Sequence, residues 1–270
     1  MLDITIIVPL KKLGKAEEKY LNTALKSITE INGKESLSLM FVGPKKVIEK
    51  ALEKANAIFK TTEIAIQCDL IVNDDTNIFE QINKAVFSCV SKYFSILELD
   101  DAYTPNWMTS AERFIKPNDG KSVYLMMEEI IDKDGMSQYF ANEMAWNPAY
   151  TGDDLGVITA DSMKAYPNFI FSGAIIKVDD FIGVHGLKPS MKIAAWYEFA
   201  LRLLNNKKEI YVIPKIGYKH MVGREDSYDE VMRKNITVEE GRWLIETVEE
   251  EYKFDEDRKL EYVKKDASKQ

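Results

Sequence analysis

Three carboxylates follow one short apolar run in SILELDDAYTPNWM, the segment that covers residues 95–108. Glu98, Asp100 and Asp101 stand where the apolar residues predict the end of a buried strand. Mutual repulsion and the loss of hydration make such a cluster costly unless water or a cation compensates its charge. The spacing therefore indicates either a turn with solvated carboxylates or a site for a divalent cation.

The first hundred residues contain the elements that would position this cluster. Apolar, β-branched runs alternate with segments whose apolar residues recur at helical spacing. The predicted strands cover residues 4–10, 38–42, 65–72 and 93–99, and the predicted helices cover residues 16–31, 45–59 and 78–91. This order predicts an α/β fold with a doubly wound, mostly parallel sheet, in which ligands bind beyond the carboxyl ends of the strands. Because the carboxylates follow the fourth strand, the topology favours the cation site over the solvated turn.

The second half of the chain alternates less regularly and predicts a smaller mixed region. The predicted strands cover residues 122–131, 136–140, 168–178 and 209–213, and the predicted helices cover residues 193–204 and 237–252. Residues 141–166 lack a clean period, which in a compact domain is typical of a functional loop. The charge-rich residues 253–270 are predicted to be solvated or loosely ordered. We therefore expect a domain over residues 1–222, with halves 1–106 and 107–222, and a helical, charged extension over residues 223–270.

The composition excludes several functional classes. The chain has 270 residues, 46% of them apolar, which is enough for a sizeable globular core. With 36 basic and 44 acidic residues and a formal charge of -8, a general surface for nucleic acid or anionic lipid is not expected. No apolar run has the length of a membrane span or a signal peptide. The two cysteines, Cys68 and Cys89, are too few for a disulfide framework, so we expect a cytoplasmic protein.

In their order along the chain, these segments resemble the family 2 glycosyltransferases, enzymes of the GT-A fold that transfer a sugar from a nucleotide-diphosphate donor. ITIIVPL followed by EKYLNTALKSI is similar to the first strand and helix of that family. YFSILELDDAYTPNWM is similar to its acidic, metal-binding segment. FSGAIIKVDDFIGVHGL and AWYEFALRLLNNKKEIYVIPK resemble its acceptor-side strand, turn and helix. The resemblance spans residues 4–220 and rests on order and spacing.

The resemblance implies Mn²⁺ or Mg²⁺ as cofactor and a nucleotide-diphosphate sugar, above all a UDP-sugar, as donor. A cation held by carboxylates would stabilise the charge on the leaving diphosphate. Asp100 would be the direct metal ligand, Glu98 would reach the ribose or a metal-bound water, and Asp101 would either bind the metal or orient Asp100. Pro9, at the end of the first strand, and Asn83, in the third helix, would contact the nucleotide.

Two further candidates follow the predicted strand 209–213. In GYKHMVGRED, His220 is a candidate metal ligand and Arg224 a candidate fork donor to phosphate, because related enzymes carry such residues near the diphosphate. Each residue is equally compatible with a satisfied position on the surface.

The sequence departs from the family at two motifs. The second strand ends in FVGP, without the acidic pair that helps hold the nucleoside, and AW at residues 195–196 replaces the Glu-Asp whose aspartate serves as base. An inverting transfer to a neutral hydroxyl requires a base. The remaining candidates are Glu198, which matches the later glutamate of that motif, and Asp153 or Asp154 in TGDDLG, which could also be a polar surface turn. Trp196 is either a platform for a sugar ring or a core residue.

Two functions fit these observations. The first is a metal-dependent glycosyltransferase acting on a glycan, a lipid-linked sugar or another hydroxyl acceptor. The second is an inactive protein that uses the fold as a structural or binding module, an alternative favoured by the missing base and second-strand acids. A protein partner would then be expected on the C-terminal helix, where Trp243, Leu244 and Val248 share one face, unless that helix packs on the domain.

Overall fold

A computed structural model describes residues 2–75, 77–254 and 260–262 of the chain, and shows a mixed sheet with helices on both faces. The described strands are β1 Ile4–Pro9, β2 Ser36–Gly43, β3 Ala65–Val72, β4 Tyr93–Ile96, β5 Ala102–Tyr103, β6 Val123–Ile131, β7 Ser137–Ala141, β8 Val157–Ile158, β9 Ile175–Lys177, β10 Ile210–Met221, β11 Tyr252–Phe254 and β12 Leu260–Tyr262. The described helices are α1 Lys15–Thr29, α2 Lys45–Phe59, α3 Ile78–Phe87, α4 Trp107–Ile115, α5 Pro148–Thr151, α6 Ala160–Ala165, α7 Val178–Gly183, α8 Ala195–Asn205, α9 Tyr228–Lys234 and α10 Val238–Glu251. Short 3₁₀ turns cover Lys116–Asn118, Glu143–Trp146 and Pro189–Ala194.

The strand order determines where a ligand could bind. The strands follow the order β3-β2-β1-β4-β9-β6-β10-β5, with β7 beside β6 and β8 beside β10. Strands β1 to β4 are parallel, and β9 is antiparallel to both β4 and β6. Since β10 is parallel to β6, the carboxyl ends of β1, β4, β6 and β10 meet at one edge of the sheet. This edge is where ligands bind in such folds.

Strand β1 shows how the sequence builds this core. Every residue of β1 is buried, as its continuous apolar run predicts for a strand covered on both faces. Ile6 belongs to the apolar layer that includes α1, α2 and α4, and Ile7 to the layer that includes α3 and α8. The two layers therefore cover the sheet on both faces.

The predicted elements of the first hundred residues are confirmed, and the later ones only in part. Helix α2 and strand β3 have the predicted bounds. The strand predicted over residues 168–178 is wrong before β9, because Gly173 has a φ of 66°, a conformation that breaks a strand. Phe169 and Phe171 are buried in the loop that precedes it. The strand predicted to end at residue 213 continues to Met221, and helices α4 and α9 were not predicted.

The C-terminal helix α10 packs on the domain. Leu244 and Val248 are buried against the core, whereas Trp243 is 57% exposed. The Lys192 ammonium also pairs with the Glu240 carboxylate at 2.5 Å. The helix is therefore confirmed, but its apolar face is not a free surface for a partner, because the chain itself covers it.

The predicted solvated segment 253–270 lies largely outside the described residues, apart from strands β11 and β12. Among the helices that the structure describes, none combines the length and the apolar character needed to cross a membrane.

Candidate active site

The turn after β4 brings its carboxylates to the carboxyl edge of the sheet. The Leu97 amide donates a hydrogen bond to the Ile7 carbonyl, which continues the pairing with β1, and the Asp101 amide donates to the Glu98 carbonyl. The Glu98 amide donates to the Tyr218 hydroxyl of β10 at 3.1 Å. The acidic turn is therefore tied to a strand that lies more than a hundred residues later in the chain.

Glu98, Asp101 and His220 form what we call the cation cluster. One ligand atom from each residue lies within 4.8 Å of those of the other two. His220 Nδ1 is 2.9 Å from Asp101 Oδ2, and the Met221 amide donates to Asp101 Oδ1 at 2.8 Å. With the proton on Nδ1, Nε2 is the ring nitrogen left for a ligand. The arrangement resembles a carboxylate that orients a metal-binding histidine.

Burial and crowding determine the charges in this cluster. Burial and the neighbouring Asp101 raise the pKa of Glu98 to about 7, although Ser172 Oγ donates to Glu98 Oε1 at 2.6 Å. Burial alone would lower the pKa of His220, but the Asp101, Glu98 and Glu128 carboxylates outweigh it and raise that pKa well above its usual value. His220 is therefore the cation of the metal-free cluster.

The residues present fit a divalent cation. Two carboxylates and one imidazole form a ligand set that divalent cations such as Mn²⁺ accept. Glu128 on β6 is close enough to interact with the charges of Glu98, Asp101 and His220, and burial raises its pKa well above the usual value. Neither Glu128 oxygen has a hydrogen-bond partner among the described residues. The region around the cluster thus contains a carboxyl group, that of Glu128, for which the described residues supply no hydrogen-bond donor.

Asp100, predicted as the direct metal ligand, is paired with a cationic side chain of the protein. Arg224 Nε donates to Asp100 Oδ2 at 2.6 Å, and Arg224 Nη1 donates to Asp226 Oδ1 at 2.7 Å. The guanidinium also lies over the ring of Tyr20, 5.5 Å from its centroid. The structure therefore groups Asp101 with Glu98 and His220, and it shows no contact in which Asp101 orients Asp100. The role of Asp100 as a ligand stays a prediction.

Residues 222–228, which we call the closing segment, cover the first strand's carboxyl end. Asp226 pairs with Lys12 at 3.0 Å, and Lys12 pairs with Glu17 at 2.8 Å. Tyr228 packs edge-on against Phe79, with ring centroids 5.1 Å apart. The segment is thus held to the loop after β1 by the ion pair from Asp226 to Lys12, and to helix α3 by the contact between Tyr228 and Phe79.

Two cavities adjoin the cation cluster, and both are lined by Glu98 and Tyr228. The smaller has a volume of about 60 Å³ and lies between the closing segment and the loop after β1; Pro9, Lys12 and Arg224 are in its wall. The larger has a volume of about 390 Å³. Its aromatic wall comprises Phe79, Tyr139, Tyr166, Phe169, Phe171, Trp196, Tyr197 and Tyr228. The structure therefore places Pro9 and Arg224 beside the acidic turn, and their contact with a nucleotide stays a prediction.

Trp196 satisfies both alternatives that the sequence left open. Its ring stacks on Phe171, with centroids 5.1 Å apart and an interplanar angle of 8°, and it is only partly buried. The same ring lines the larger cavity. It is a packed residue that also presents a surface to the site.

Glu198, predicted as a candidate base, is a buried structural carboxylate. It is 0% exposed and forms two bonds with Arg202, from Nε to Oε1 at 3.0 Å and from Nη2 to Oε2 at 2.8 Å. The Tyr252 hydroxyl donates to Oε1 at 2.7 Å, and the Lys188 ammonium is 2.8 Å away. The prediction is wrong because these partners occupy the carboxylate and keep it from the cavities.

Asn83, predicted to contact the nucleotide, has a structural role as well. Its Nδ2 donates to the Leu187 carbonyl at 2.9 Å, and its Oδ1 accepts from the Leu187 amide at 2.8 Å. The residue is 8% exposed and is absent from the walls of both cavities. Its amide group is therefore used to hold the loop before α8.

Asp153 and Asp154 are not brought to the cation cluster. Both are exposed in the turn before β8, and β8 pairs with Ile210 and Tyr211 at the start of β10. His220 lies near the other end of the same strand. The TGDDLG segment is thus a polar surface turn in this structure.

Asp229 and Arg233 are site residues that the sequence reasoning missed. Both line the larger cavity, and Arg233 Nε donates to Asp229 Oδ2 at 2.6 Å. They lie one helical turn apart in α9, which has only seven residues and too few apolar positions to give a periodic signal. The available signal was the spacing of an acid and a base four residues apart.

Comparison with known proteins identifies the fold. No protein-family model and no curated protein matches the sequence. Residues 1–349 of S. aureus TarS in complex with UDP-GlcNAc match with a TM-score of 0.64 and 14% identity, covering 92% of this chain and 65% of that one. The mannosyltransferase PcManGT of Pyrobaculum calidifontis, in complex with GDP-Man and Mn²⁺, matches with a TM-score of 0.57 and 11% identity, covering 83% of this chain and 58% of that one.

This chain therefore spans less than two thirds of the length of either protein. At such low identity the similarity establishes architecture and not activity. The central sheet of this chain, with helices on both faces, matches the architecture of these two proteins. The chain has a GT-A-like glycosyltransferase fold.

Proposed function

We propose that this chain is a metal-dependent glycosyltransferase that moves a sugar from a nucleotide-diphosphate donor to an acceptor hydroxyl. The observation that carries the proposal is the cation cluster of Glu98, Asp101 and His220, which joins the ends of β4 and β10 beside two cavities in a GT-A-like fold. The resemblance to family 2 over residues 4–220 supports the same reading, as do the nucleotide sugars bound to TarS and PcManGT.

The smaller cavity is the proposed position of the diphosphate. Lys11, Lys12 and Arg224 line it and supply positive charge, and Pro9 shapes its wall. A divalent cation bound at the cation cluster, with Asp100 alongside, would stabilise the negative charge of the leaving diphosphate. Glu98, Asp101 and His220 would hold that cation and fix its position relative to the donor.

The larger cavity is the proposed position of the transferred sugar and the acceptor. Its volume of about 390 Å³ lies within the usual range for small-ligand sites, roughly 300–1,000 Å³. Trp196 and Tyr228 offer aromatic surfaces, on which the apolar faces of sugar rings can pack. The acceptor in this proposal is a glycan, a lipid-linked sugar or another compound with a hydroxyl group.

Asp229 is the proposed base, because it is the carboxylate of the larger cavity wall that lies outside the cation cluster. We expect Asp229→Asn to slow transfer by about 100-fold, the lower range for loss of general base catalysis. Because the residue is 58% exposed, the variant should fold normally and bind UDP with Mn²⁺ as the wild type does. The effect is measured as the rate of UDP release during sugar transfer or donor hydrolysis. An unchanged rate would exclude Asp229 as the base.

The inactive module remains a second candidate, and one observation favours it. Helix α8 begins with Ala195 and Trp196, and its Glu198 is enclosed in a structural network, so α8 presents no carboxylate to the larger cavity. In that case the cavities would bind a ligand without turning it over.

The proposal is tested by calorimetric titration with UDP and with GDP, each with and without MnCl₂, followed by an assay of UDP or GDP release from the matching sugar nucleotide. We expect Mn²⁺-dependent binding of one nucleotide and release of that nucleotide during turnover. Binding without turnover under any acceptor condition would support the module, and the absence of binding would contradict the proposed donor site.

A further inference from the structure

Glu128 is a carboxyl group that the proposed mechanism does not use. It lies in the middle of the sheet on β6, is 0% exposed, and has no hydrogen-bond partner at either oxygen among the described residues. A buried carboxyl without a donor is costly, and such groups are normally met by a donor, a water molecule or a cation. Its burial therefore points to a ligand nearby.

Strand pairing places Glu128 next to the cation cluster. It is directly opposite Tyr218 on β10, the residue whose hydroxyl accepts from the Glu98 amide, and His220 follows two positions later on β10. The charged groups close enough to act on it are His220, Asp101 and Glu98, the three members of the cluster. A cation at the cluster is thus the nearest compensation for the Glu128 carboxyl.

The neighbouring acid shows that this placement is particular to residue 128. Glu129 follows it in the same strand, so its side chain points to the opposite face of the sheet. Glu129 pairs with Lys219 at 3.2 Å in a partly exposed position. Glu128 is thus buried without a partner and its neighbour Glu129 is partly exposed and paired, so Glu129 is a matched control for Glu128.

We propose that Glu128 is a positioning residue of the cation centre, which adds a third acidic group beside Glu98 and Asp101 and so strengthens the binding of a divalent cation. The inference rests on the proposed function, because it assumes that the cluster binds a cation. Residues behind the direct ligands typically change metal affinity by about 10- to 100-fold. In the metal-free protein the buried Glu128 carboxyl has no hydrogen-bond donor among the described residues and only His220 as a nearby cation, so its presence there costs stability.

The experiment uses Mn²⁺ alone, titrated into the full chain and followed by electron paramagnetic resonance of the free ion. We expect Glu128→Gln, which keeps the shape of the side chain, to weaken Mn²⁺ binding by about tenfold or more. Glu129→Gln should leave the affinity unchanged. Glu128→Met serves as a second variant that removes the buried polar group altogether, and it should weaken Mn²⁺ binding as well.

Thermal unfolding supplies a readout that a purely structural role would not give. We expect both Glu128 variants to unfold at the same or a higher temperature than the wild type without metal, and to gain less from added Mn²⁺. Lower unfolding temperatures with unchanged Mn²⁺ affinity would assign Glu128 to the core and overturn the inference. Absence of Mn²⁺ binding by the wild type would overturn it too. If the wild type then still binds UDP and releases it during turnover without metal, only the inference about Glu128 fails. If it neither binds nor releases UDP, the proposed glycosyltransferase function fails as well.

Discussion

The Asp101→Asn variant is expected to lose Mn²⁺-dependent nucleotide binding, with an affinity more than about 100-fold below that of the wild type. Asp101 accepts from both His220 and the Met221 amide, and its carboxylate is one of the three cluster groups. Asparagine keeps the shape but loses the charge. It therefore removes a ligand and the partner that orients His220, a larger change than the 10- to 100-fold loss typical of a group behind a ligand. Titration with UDP or GDP in the presence of Mn²⁺ measures it.

The control for this variant is Asp134→Asn, which removes a carboxylate from the exposed hairpin turn between β6 and β7. It should bind nucleotide as the wild type does. Thermal unfolding checks that Asp101→Asn is folded, since Asp101 is buried and accepts hydrogen bonds from His220 and the Met221 amide. Wild-type affinity in a folded Asp101→Asn protein would show that the cluster does not hold the cation.

The Glu198→Ala variant is expected to lower the free energy of unfolding by about 3–5 kcal/mol, the usual cost of breaking a buried ion pair. Removing the carboxylate leaves the Arg202 guanidinium buried and without its counter-charge. It also removes the acceptor for the Tyr252 hydroxyl and for Lys188. Urea denaturation at equilibrium measures the change.

The outcome also decides between the two roles discussed for Glu198. A catalytic base would give a stable protein that has lost turnover, whereas a structural carboxylate gives an unstable protein. Glu246→Ala, which removes an exposed acid from α10, should change stability by less than about 0.5 kcal/mol and serves as the reference. Stability equal to the wild type together with lost transfer would restore Glu198 as the base.

The parallel half of the sheet could be predicted from the sequence alone, because the local signals for its helices and strands are strong. Helix α2 begins directly after Pro44 and shows a regular apolar spacing, so both of its ends were predictable. Strand β10 was predicted too short for a physical reason. Pro214 and Gly217 are typical of a strand end, but irregularities of register at these positions let the strand continue past them.

The grouping of site residues depended on that continuation. The acidic turn was predictable from its place after β4, but its partners were not, because His220 and Arg224 reach it only through the full length of β10 and the segment that follows. Local sequence cannot tell which acid pairs with which base across a sheet. For the same reason Asn83 was predicted to contact the nucleotide and Glu198 to act as the base, although Leu187 and Arg202 are their actual partners.

The closing segment has a consequence for the rate at which a donor can enter. A cavity of about 60 Å³ is far below the roughly 300 Å³ of a small-ligand site, so we expect Arg224 to leave Asp100 and to pair with the incoming diphosphate. Entry is thus an exchange of counter-ions, in which the contact from Lys12 to Asp226 also has to break. We expect the observed rate constant of donor binding, measured by stopped-flow fluorescence, to reach a ceiling at high donor concentration that is set by opening of the segment and not by diffusion. Substituting Arg224 with alanine would raise that ceiling and would lower the affinity for the bound diphosphate.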